Sequence, residues 1–467
     1  MEQRPLSFFA QACQAGLVGG QPGIAVRRVC TDSRSVQAGD LFVAIAGDRF
    51  DGHGYVAQAL AQGAVGAVVE RRALAQLEGI EGASLLVVEN TRRALGLMAA
   101  EYRRGFEMPV VAVGGSNGKT TTKELLASVL RERWAVLWSQ ASFNNEIGVP
   151  VTLLKLERAH GAAVLEAGTN HPGELAPLLG MIQPRYGILT GIGREHLEFF
   201  GDLEGVTREE GWVGEVLPVD GSLFINGDCA GIEPILRRTR AAVTRVGFNA
   251  DNDWRTEVLK MDTAGVVFHV TAPAAQWTGE YSVPLPGRHQ ATNAALAIAA
   301  AAVLGLTREQ IQRGLEACPA PWMRMQVREC DGVGILDDAY NANADSMLAA
   351  LHTLRDMECS GRRVAVLGDM AELGPQSEAA HAEIGRAAGQ CGLDAVFAAG
   401  QWAGIVTDEA RSAGVETILA VQTAEEAGAA IREYVRRGDL VLFKASRAMR
   451  MERASACLIS DSGAAGD

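Results

Sequence analysis

The 467-residue chain is short of basic charge, long apolar runs and paired cysteines, and each shortage excludes a class of protein. Its 56 acidic and 43 basic residues give a net charge of −13, which disfavours nucleic-acid binding because phosphate backbones require clustered Lys and Arg. No apolar run approaches the ~20 residues of a membrane span, and the N-terminus lacks a basic region followed by an apolar stretch. We therefore expect a soluble, unexported protein that has no membrane span and binds no nucleic acid.

The cysteines are scattered, and no two of them form a C-x-x-C pair, so neither a zinc site nor a disulfide framework is indicated. This usage fits a reducing compartment, and we expect a cytoplasmic location. The polar segment 460–467 is expected to be frayed. The cysteines are residues 13, 30, 229, 318, 330, 359, 391 and 457.

Hydrophobic residues make up 48% of the chain and charged residues 21%, an ordinary globular mixture. A prior of ~150 residues per domain suggests about three domains. Composition and turns divide the chain into 1–106, 107–318 and 319–467. The first segment has short apolar runs between glycine-rich turns, and the other two alternate strand-like and helical stretches. The sequence therefore predicts an α/β protein with a smaller mixed domain followed by two α/β domains.

Apolar, β-branched runs in the second and third segments predict buried parallel strands. In the second segment these runs are "PVVAV", "AAVLEAG" and "YGILTGIG". In the third they are "VGILDDA", "RVAVLGDM", "LDAVFAAG" and "DLVLFKAS". By contrast, "WRTEVLKMD", "GVVFHVTA" and "GEYSVPLPG" predict a small antiparallel patch late in the second segment.

The stretch "VVAVGGSNGKTTTKELL" reads as a strand, a glycine-rich turn and a helix. Backbone N–H groups at such a helix start gather around a phosphate, Lys119 would reach the terminal phosphates, and Thr120 would ligate a divalent cation. The strict pattern G-x-x-x-x-G-K-[ST] requires glycine where Val113 stands, so the loop is a variant form. An ordinary glycine-rich turn is the alternative, but the flanking strand and helix favour nucleotide binding. The expected loop contacts are Gly115, Ser116, Asn117, Gly118, Lys119, Thr120 and Thr121.

Two further strand ends carry groups that could join this loop. "AVLEAG" ends on Glu166, and the turn after "YGILTGIG" leads to His196. Because ligands gather at the carboxyl ends of parallel strands, a carboxylate and an imidazole there predict a magnesium site beside Lys119. Each residue alone could instead be a surface residue or a helix cap.

More motifs follow one another in fixed order over nearly the whole chain. They are "TDSR" (31–34), "GSNGKTTTKE" (115–124), "SFNNEIGVP" (142–150), "LEAGTN" (165–170), "REHLEFFG" (194–201), "LPGRHQATNAALA" (285–297), "RMQV" (324–327), "LDDAYNANADSM" (336–347), "VLGDMAELG" (366–374) and "VLFKASRAMRME" (441–452). In this order they resemble the Mur ligase family, ATP-dependent amide-forming enzymes of peptidoglycan precursor synthesis. The resemblance implies a UDP-sugar-binding mixed α/β domain, a central P-loop domain on a parallel sheet, and a Rossmann-like domain that closes on ATP and binds the incoming amine.

The motifs "DDAYNANADSM" and "LGDMAELG" resemble those members that add D-alanyl-D-alanine to UDP-N-acetylmuramoyl-tripeptide. A tripeptide-forming member would carry a D-N-P-R stretch, which this chain lacks. The resemblance implies ATP and Mg²⁺ as cofactors and those two small molecules as substrates, and we expect a monomer. Whether the third residue of the tripeptide is meso-diaminopimelate or lysine stays open.

The resemblance also implies roles for single residues. Lys119, His196 and Arg324 would be catalytic, with Lys119 on the β- and γ-phosphates and Arg324 on the γ-phosphate. The remaining roles are Thr120 and Glu166 on one magnesium, His196 on a second, Asn293 on adenine, Asp338 on ribose, Asn144 and Asn145 on the tripeptide, and Ser33 and Arg34 on the UDP end. Arg324 could instead pair with an acid at a linker, and Ser33 could be a turn residue.

One departure from the family pattern bears on the predicted metal site. Relatives carry a lysine fourteen positions after the histidine that matches His196, and carbamylation of its amine gives a carboxylate for the second magnesium. In this chain that position is Glu210, so the sequence encodes a carboxylate directly, on a shorter arm. We expect Glu210 to hold the metal. The alternative is a solvated helix residue beside Glu209.

Three other functions compete with this interpretation: a tripeptide-forming Mur ligase, a folylpolyglutamate-synthetase-like ligase, and a regulatory module that binds nucleotide without catalysis. The "TDSR" and "DGHG" motifs argue against the folate type. Glu166, His196 and Asp338 argue against a non-catalytic module. The base that deprotonates the incoming amine is not identified by the sequence, since His381 lies in a helix without a supporting partner.

Overall fold

The structure, a computed structural model, describes residues 1–47 and 50–459. The segment 460–467, expected to be frayed, lies outside them. The described chain folds into α/β units built on separate sheets, so the predicted three-domain α/β class is confirmed.

The N-terminal unit is a sheet with order β2-β7-β6-β5-β4, in which β2 is antiparallel and the other neighbours are parallel. Apolar strands β5, β6 and β7 are buried along their whole length, which places them inside the layer. Its elements are β1 (Arg4–Pro5), α1 (Leu6–Ala12), β2 (Gly16–Val18), β3 (Ala25–Val26), β4 (Arg28–Cys30), β5 (Asp40–Val43), α2 (Val56–Ala61), β6 (Gly66–Glu70), β7 (Leu85–Val88) and α3 (Thr91–Arg104).

The central unit carries the sheet β16-β15-β14-β13-β12-β11-β8-β10-β9. Strand β8 lies between β10 and β11, parallel to both, which confirms the three predicted parallel strands. The elements are β8 (Val110–Gly114), α4 (Lys119–Arg131), β9 (Ala135–Trp138), α5 (Gly148–Leu153), β10 (His160–Glu166), α6 (Leu175–Ile182), β11 (Tyr186–Leu189), α7 (Leu197–Phe200), α8 (Leu203–Glu210), α9 (Trp212–Glu215), β12 (Ser222–Asn226), α10 (Glu233–Arg238), β13 (Ala242–Gly247), β14 (Trp254–Asp262), β15 (Gly265–Thr271), β16 (Gly279–Val283), α11 (Arg288–Val303) and α12 (Arg308–Glu316).

Strands β14, β15 and β16 pair antiparallel, as predicted. They do not form a separate patch, because β14 also pairs parallel to β13 and so extends the central sheet. The alanine-rich helix α11 packs on this sheet and is buried for most of its length. Small side chains allow that close approach. In the described part of the chain, no helix combines the length and the apolarity that crossing a membrane requires.

The C-terminal unit has the sheet order β17-β18-β22-β19-β20-β21, parallel except for the antiparallel edge strand β17. The predicted second parallel sheet is therefore confirmed. The elements are β17 (Gln326–Cys330), β18 (Val333–Asp337), α13 (Ala344–Asp356), β19 (Arg363–Gly368), α14 (Ser377–Gln390), β20 (Ala395–Ala399), α15 (Ala403–Ser412), β21 (Thr417–Val421), α16 (Ala424–Tyr434), β22 (Leu440–Lys444) and α17 (Glu452–Ile459).

Candidate active site

A cleft of about 1240 Å³ opens where the central unit meets the C-terminal unit. Its floor is the turn between β8 and α4 together with the carboxyl ends of β10 and β11. Its far wall comes from the segment after β18 and from the start of α13. The strand order therefore gathers the predicted groups at one edge of the central sheet, as expected for a parallel sheet.

Two glycines shape the turn after β8. Gly115 has φ +111°, and a Cβ there would lie 2.6 Å from Thr190 Oγ1. Gly118 has φ +85°, and a Cβ there would lie 2.5 Å from Asn293 Oδ1. Both positions require the conformational freedom and the small size of glycine. The backbone turns tightly into α4, whose first residue is Lys119, so the helix N-terminus faces the cleft as an anion-binding cradle.

Lys119 lies at the centre of a group of carboxylates. Its side chain is 14% exposed, and Nζ is 3.5 Å from Glu195 Oε2. Nζ also donates to the carbonyl oxygens of Gly115 and Ser116. Burial alone would lower the pKa of Lys119, but the negative charges of Glu195, Glu210 and Glu166 raise it above its usual value. The amine therefore stays protonated and available to an anionic phosphate.

Glu166 ends β10 and is 1% exposed, so the surface-residue interpretation of this position is wrong. Its Oε1 accepts a hydrogen bond from Asn144 Nδ2 at 2.9 Å. Its Oε2 is 3.8 Å from the buried ammonium of Lys123. Lys123 was not predicted as part of the site, although it lies one helical turn after Lys119 and therefore on the same face of α4.

Glu210 ends α8 and is 1% exposed. Its Oε2 accepts a hydrogen bond from the backbone N–H of Gly115 at 2.6 Å. The alternative of a solvated helix residue is therefore wrong. Burial and the nearby charge of Glu195 raise the pKa of Glu210 to about 8, against the opposing effect of Lys119. Burial thus disfavours the charged form of this carboxyl, and the positive charge of Lys119 favours it.

His196 follows β11 and is only partly exposed, with Nε2 4.0 Å from Glu195 Oε2. Glu195 is itself 5% exposed and reaches Lys119 with the same oxygen. One buried carboxylate thus lies between the imidazole and the ammonium. Glu195 was not predicted as a site residue, although it lies beside His196 within the motif "REHLEFFG".

The buried carboxylates fit a divalent cation. One oxygen each of Glu166, Glu195 and Glu210 is buried without a hydrogen-bond partner among the described residues. A buried, unpaired carboxylate oxygen is costly unless a cation or a proton compensates it. Within residues 1–47 and 50–459, no three His, Cys, Asp or Glu side chains are already gathered as a metal cluster. The carboxylates of Glu166, Glu195 and Glu210 suit Mg²⁺, which usually takes one or two carboxylates and completes its coordination shell with water and phosphate oxygens.

The C-terminal unit contributes further predicted residues. Arg324 Nη2 donates to Thr120 Oγ1 at 3.2 Å, and its guanidinium lies 4.2 Å from the Tyr340 ring centroid. None of the ion pairs found among the described residues involves Arg324, which argues against the linker-pair alternative. Asp338 Oδ2 accepts from Lys444 Nζ at 2.5 Å. Arg324, Asp338, Tyr340 and Lys444 line the cleft from the C-terminal unit, whereas Thr120 lies on α4 of the central unit.

Asn293 is buried on α11 and donates from Nδ2 to Gln290 Oε1 at 2.9 Å. Asn144 and Asn145 both line the cleft, and Asn145 Oδ1 also accepts from the N–H groups at the start of α5. Asn117 exchanges amide hydrogen bonds with Asn343, the residue that caps α13. Neither Asn343 nor this bond between the units was predicted.

Ser33 and Arg34 lie outside the cleft lining, in the N-terminal unit. Ser33 begins a short 3₁₀ turn, as its turn-residue alternative proposed. Arg34 is exposed and forms hydrogen bonds with Asp32.

His381, in the C-terminal unit, is held by two backbone contacts. Its Nε2 accepts from the Met370 N–H, and its Nδ1 contacts the Ser377 carbonyl. Both ring nitrogens are therefore occupied by backbone, which gives His381 a structural place in its helix.

Known proteins resemble the chain along nearly its whole length. It matches the family models "Mur ligase family, catalytic domain" over residues 25–103, "Mur ligase middle domain" over 113–301 and "Mur ligase, glutamate ligase domain" over 323–447. It is 33% identical to the UDP-N-acetylmuramoyl-tripeptide–D-alanyl-D-alanine ligase of Bacillus subtilis (strain 168) over 456 residues, which cover 97% of each chain.

Solved structures agree with this likeness. A crystal structure of MurF from Acinetobacter baumannii matches with a TM-score of 0.89 and 31% identity, covering 99% of this chain and 100% of that chain. The MurF ligase of Thermotoga maritima in complex with ADP matches with a TM-score of 0.80 and 28% identity, covering 93% and 98%. The geometry of the cleft, the family models and these relatives together show that the chain belongs to the Mur ligase family.

Proposed function

We propose that this protein joins D-alanyl-D-alanine to UDP-N-acetylmuramoyl-tripeptide at the expense of ATP, as a ligase of peptidoglycan precursor synthesis. The observation that carries the proposal is the meeting of Lys119, Glu166, Glu195, His196 and Glu210 at one sheet edge. Relatives that share about a third of their residues over almost the full chain carry this activity in their names.

The chemistry requires an activated acid, because a carboxylate has no adequate leaving group for an amine. The γ-phosphoryl group of ATP, a substrate here, passes to an oxygen of the tripeptide carboxylate, and ADP leaves. The amine of D-alanyl-D-alanine then attacks the acyl carbon. The new C–N bond forms as the C–O bond to phosphate breaks, and the amine loses a proton.

The residues of this chain lower the charge repulsion between the two anions that must meet. The ammonium of Lys119 and the loop amides hold the β- and γ-phosphates, and Arg324 adds positive charge from the opposite wall. Glu166 with Thr120, and Glu195 and Glu210 with His196, would hold Mg²⁺, which when bound supplies further charge neutralisation. Asn293 and Asp338 would hold the adenine and the ribose.

Glu210 gives this enzyme an encoded carboxylate where relatives carry a carbamylated lysine. Its oxygen already reaches the phosphate loop at the Gly115 N–H, so the shorter side chain does not keep it from the site. We expect that added bicarbonate leaves the activity unchanged, since no lysine there needs carbon dioxide. A rise in turnover with bicarbonate would contradict this role for Glu210.

We propose a separate role for each of the three segments. We assign residues 1–106 to the UDP end of the substrate, with Ser33 and Arg34 as contacts, and residues 107–318 to ATP. Residues 319–467 would cover the nucleotide, exclude water from the acyl phosphate and receive the amine. Asn144 and Asn145 would contact the tripeptide. We also propose a cytoplasmic, monomeric enzyme.

The test is phosphate release measured with each substrate omitted in turn. We expect release only when ATP, Mg²⁺, UDP-N-acetylmuramoyl-tripeptide and D-alanyl-D-alanine are all present. Both tripeptides, with meso-diaminopimelate or lysine in the third position, should be compared. Release with a glutamate acceptor would favour the folate-type ligase, and nucleotide binding without any release would favour the regulatory module.

A further inference from the structure

Two residues with left-handed backbone conformations face each other across the boundary between the central and C-terminal units. His196, before α7, has φ +49°, and Glu372, in the loop after β19, has φ +60°. This conformation costs a residue with a Cβ about 1 kcal/mol or more, so it persists only where surrounding contacts impose it. The pairing of two such residues therefore marks a specifically built contact.

Contacts on both sides hold the pair. His196 Nδ1 is hydrogen-bonded to Glu372 Oε2. The N–H of Glu198 donates to the backbone carbonyl of Glu372 at 3.0 Å. Their neighbours Leu197 and Leu373 are 5% and 1% exposed and belong to the same apolar cluster, although they come from different units. Apolar packing and a backbone bond thus fix the side-chain pair in place.

The other nitrogen of the imidazole faces the candidate cation site. His196 Nε2 is 4.0 Å from Glu195 Oε2, and that oxygen is 3.5 Å from Lys119 Nζ. An ionised carboxylate only accepts, so Nδ1 carries the hydrogen shared with Glu372, and the nitrogen left to bind a cation through its lone pair is Nε2. A carboxylate that is hydrogen-bonded to the nitrogen facing away from the metal orients the imidazole ring and makes it a stronger metal ligand.

We infer that Glu372 is a positioning residue of the C-terminal unit: it sets the ring of His196 with Nε2 toward the cleft, and so couples docking of that unit to completion of the cation site. The inference rests on the proposed function, since it concerns the cation that accompanies ATP. A ligase that completes its metal site only when its units are docked transfers phosphate only in a closed cleft, where water is excluded.

Glu372 could instead be a simple tie between the two units, and the chain offers a matched control for that role. Glu383 also lies in the C-terminal unit and accepts a hydrogen bond from Arg194 of the central unit at 2.6 Å. It contacts neither His196 nor the phosphate loop. Glu383→Ala therefore removes a polar contact between the units without changing the surroundings of the imidazole.

The experiment measures Mn²⁺ affinity of the full chain in the presence of ADP, by electron paramagnetic resonance of free Mn²⁺. We expect Glu372→Ala to weaken the affinity by about 10- to 100-fold. Glu383→Ala should stay within about twofold of the wild type. Glu372→Gln, which retains an acceptor of the same shape, should recover part of the loss. The ¹⁴N coupling of a coordinated imidazole should be present in the wild type and weaker in Glu372→Ala.

Equal losses in Glu372→Ala and Glu383→Ala, wild-type Mn²⁺ affinity in Glu372→Ala, or no ADP-dependent Mn²⁺ binding by the wild type would each overturn the inference. Thermal unfolding of each variant guards against a folding defect, and Glu372→Gln serves as the readout if the alanine variant does not fold. The Mn²⁺ assay contains neither the peptide nor the dipeptide substrate. It therefore separates failure of this coupling from failure of the proposed reaction, which the phosphate-release assay reports.

Discussion

The central unit meets its two neighbours through junctions of opposite character. Toward the N-terminal unit the junction is mainly apolar: one continuous buried cluster includes Phe9 and Leu95 on one side and Val149 and Leu179 on the other. Helix α3 packs there on α5 and α6, so closely that a Cβ at Gly96 would lie 2.8 Å from Met181 Sδ.

Toward the C-terminal unit the junction is largely polar. Its polar contacts include the Asn117–Asn343 amide pair, the bonds of Arg194 to Asp345 and Glu383, the contact between His196 and Glu372, and Arg324 on Thr120. Leu197 and Val206 of the central unit add an apolar contact with the C-terminal unit. Large apolar interfaces hold domains fixed, whereas polar interfaces permit relative motion. We therefore expect the first two units to move as a pair and the third unit to dock and separate, with the chemistry at the separable junction.

Lys119→Ala should have the largest effect on activity, because it removes the ammonium that is proposed to hold the phosphates at the polar junction. We expect substrate-dependent phosphate release to fall by at least about 10²- to 10³-fold, the usual cost of losing one positioned charge-stabilising donor. Because Lys119 also neutralises buried carboxylates, thermal unfolding of the variant must be compared with that of the wild type to separate a loss of chemistry from a loss of fold. Near-normal release by the variant would remove the phosphate loop from the mechanism.

Leu95→Ala, at the apolar junction, should lower the stability of the protein without touching the phosphate site. Leu95 is fully buried in the cluster shared with the central unit. Truncation should lower the free energy of unfolding by about 2–5 kcal/mol, from lost burial plus a cavity. Equilibrium urea unfolding measures this loss, and Leu97→Ala, at an exposed position of the same helix, is the control. Equal effects at both positions would contradict a junction that depends on packing.

Arg194→Ala removes ion pairs across the polar junction, so it should let the C-terminal unit separate from the central unit without unfolding it. Its ion pairs are about one-third exposed, so their loss should cost no more than about 1 kcal/mol of stability. We expect a larger radius of gyration by small-angle X-ray scattering without nucleotide, with compaction restored by saturating ADP and Mg²⁺. A variant as compact as the wild type without nucleotide would show that apolar contacts alone hold the third unit.

Glu210→Gln should change how stability depends on pH in the absence of Mg²⁺. The pKa of Glu210 is about 8 in the fold, raised from 4.5 by burial, so the native state binds more protons than the unfolded chain between these values. Wild-type stability should therefore decline as the pH rises from about 5 to 9, whereas the glutamine variant should decline less. Thermal unfolding across this range measures the difference, and parallel curves would contradict the raised pKa.

The sequence predicted those site residues that belong to a recognisable local pattern. Lys119 and Thr120 lie in a glycine-rich turn between a strand and a helix, and Glu166 ends an apolar strand. Parallel strands present their carboxyl ends together, so these residues could be placed near one another without coordinates. Glu195 and Glu372 lie in the quoted motifs "REHLEFFG" and "VLGDMAELG" but were given no role, because a glutamate in a loop has no periodicity that shows whether it is buried.

The sequence by itself determined the α/β class, the nucleotide loop and the order of motifs, because strand periodicity and glycine-rich turns are properties of neighbouring residues. Only the tertiary structure decided which carboxylates are buried around Lys119, that Glu210 lies against the loop and not in solvent, and that one junction is mainly apolar and the other largely polar. Burial and charge proximity depend on residues brought together from distant parts of the chain, and those distances exist only in the folded molecule.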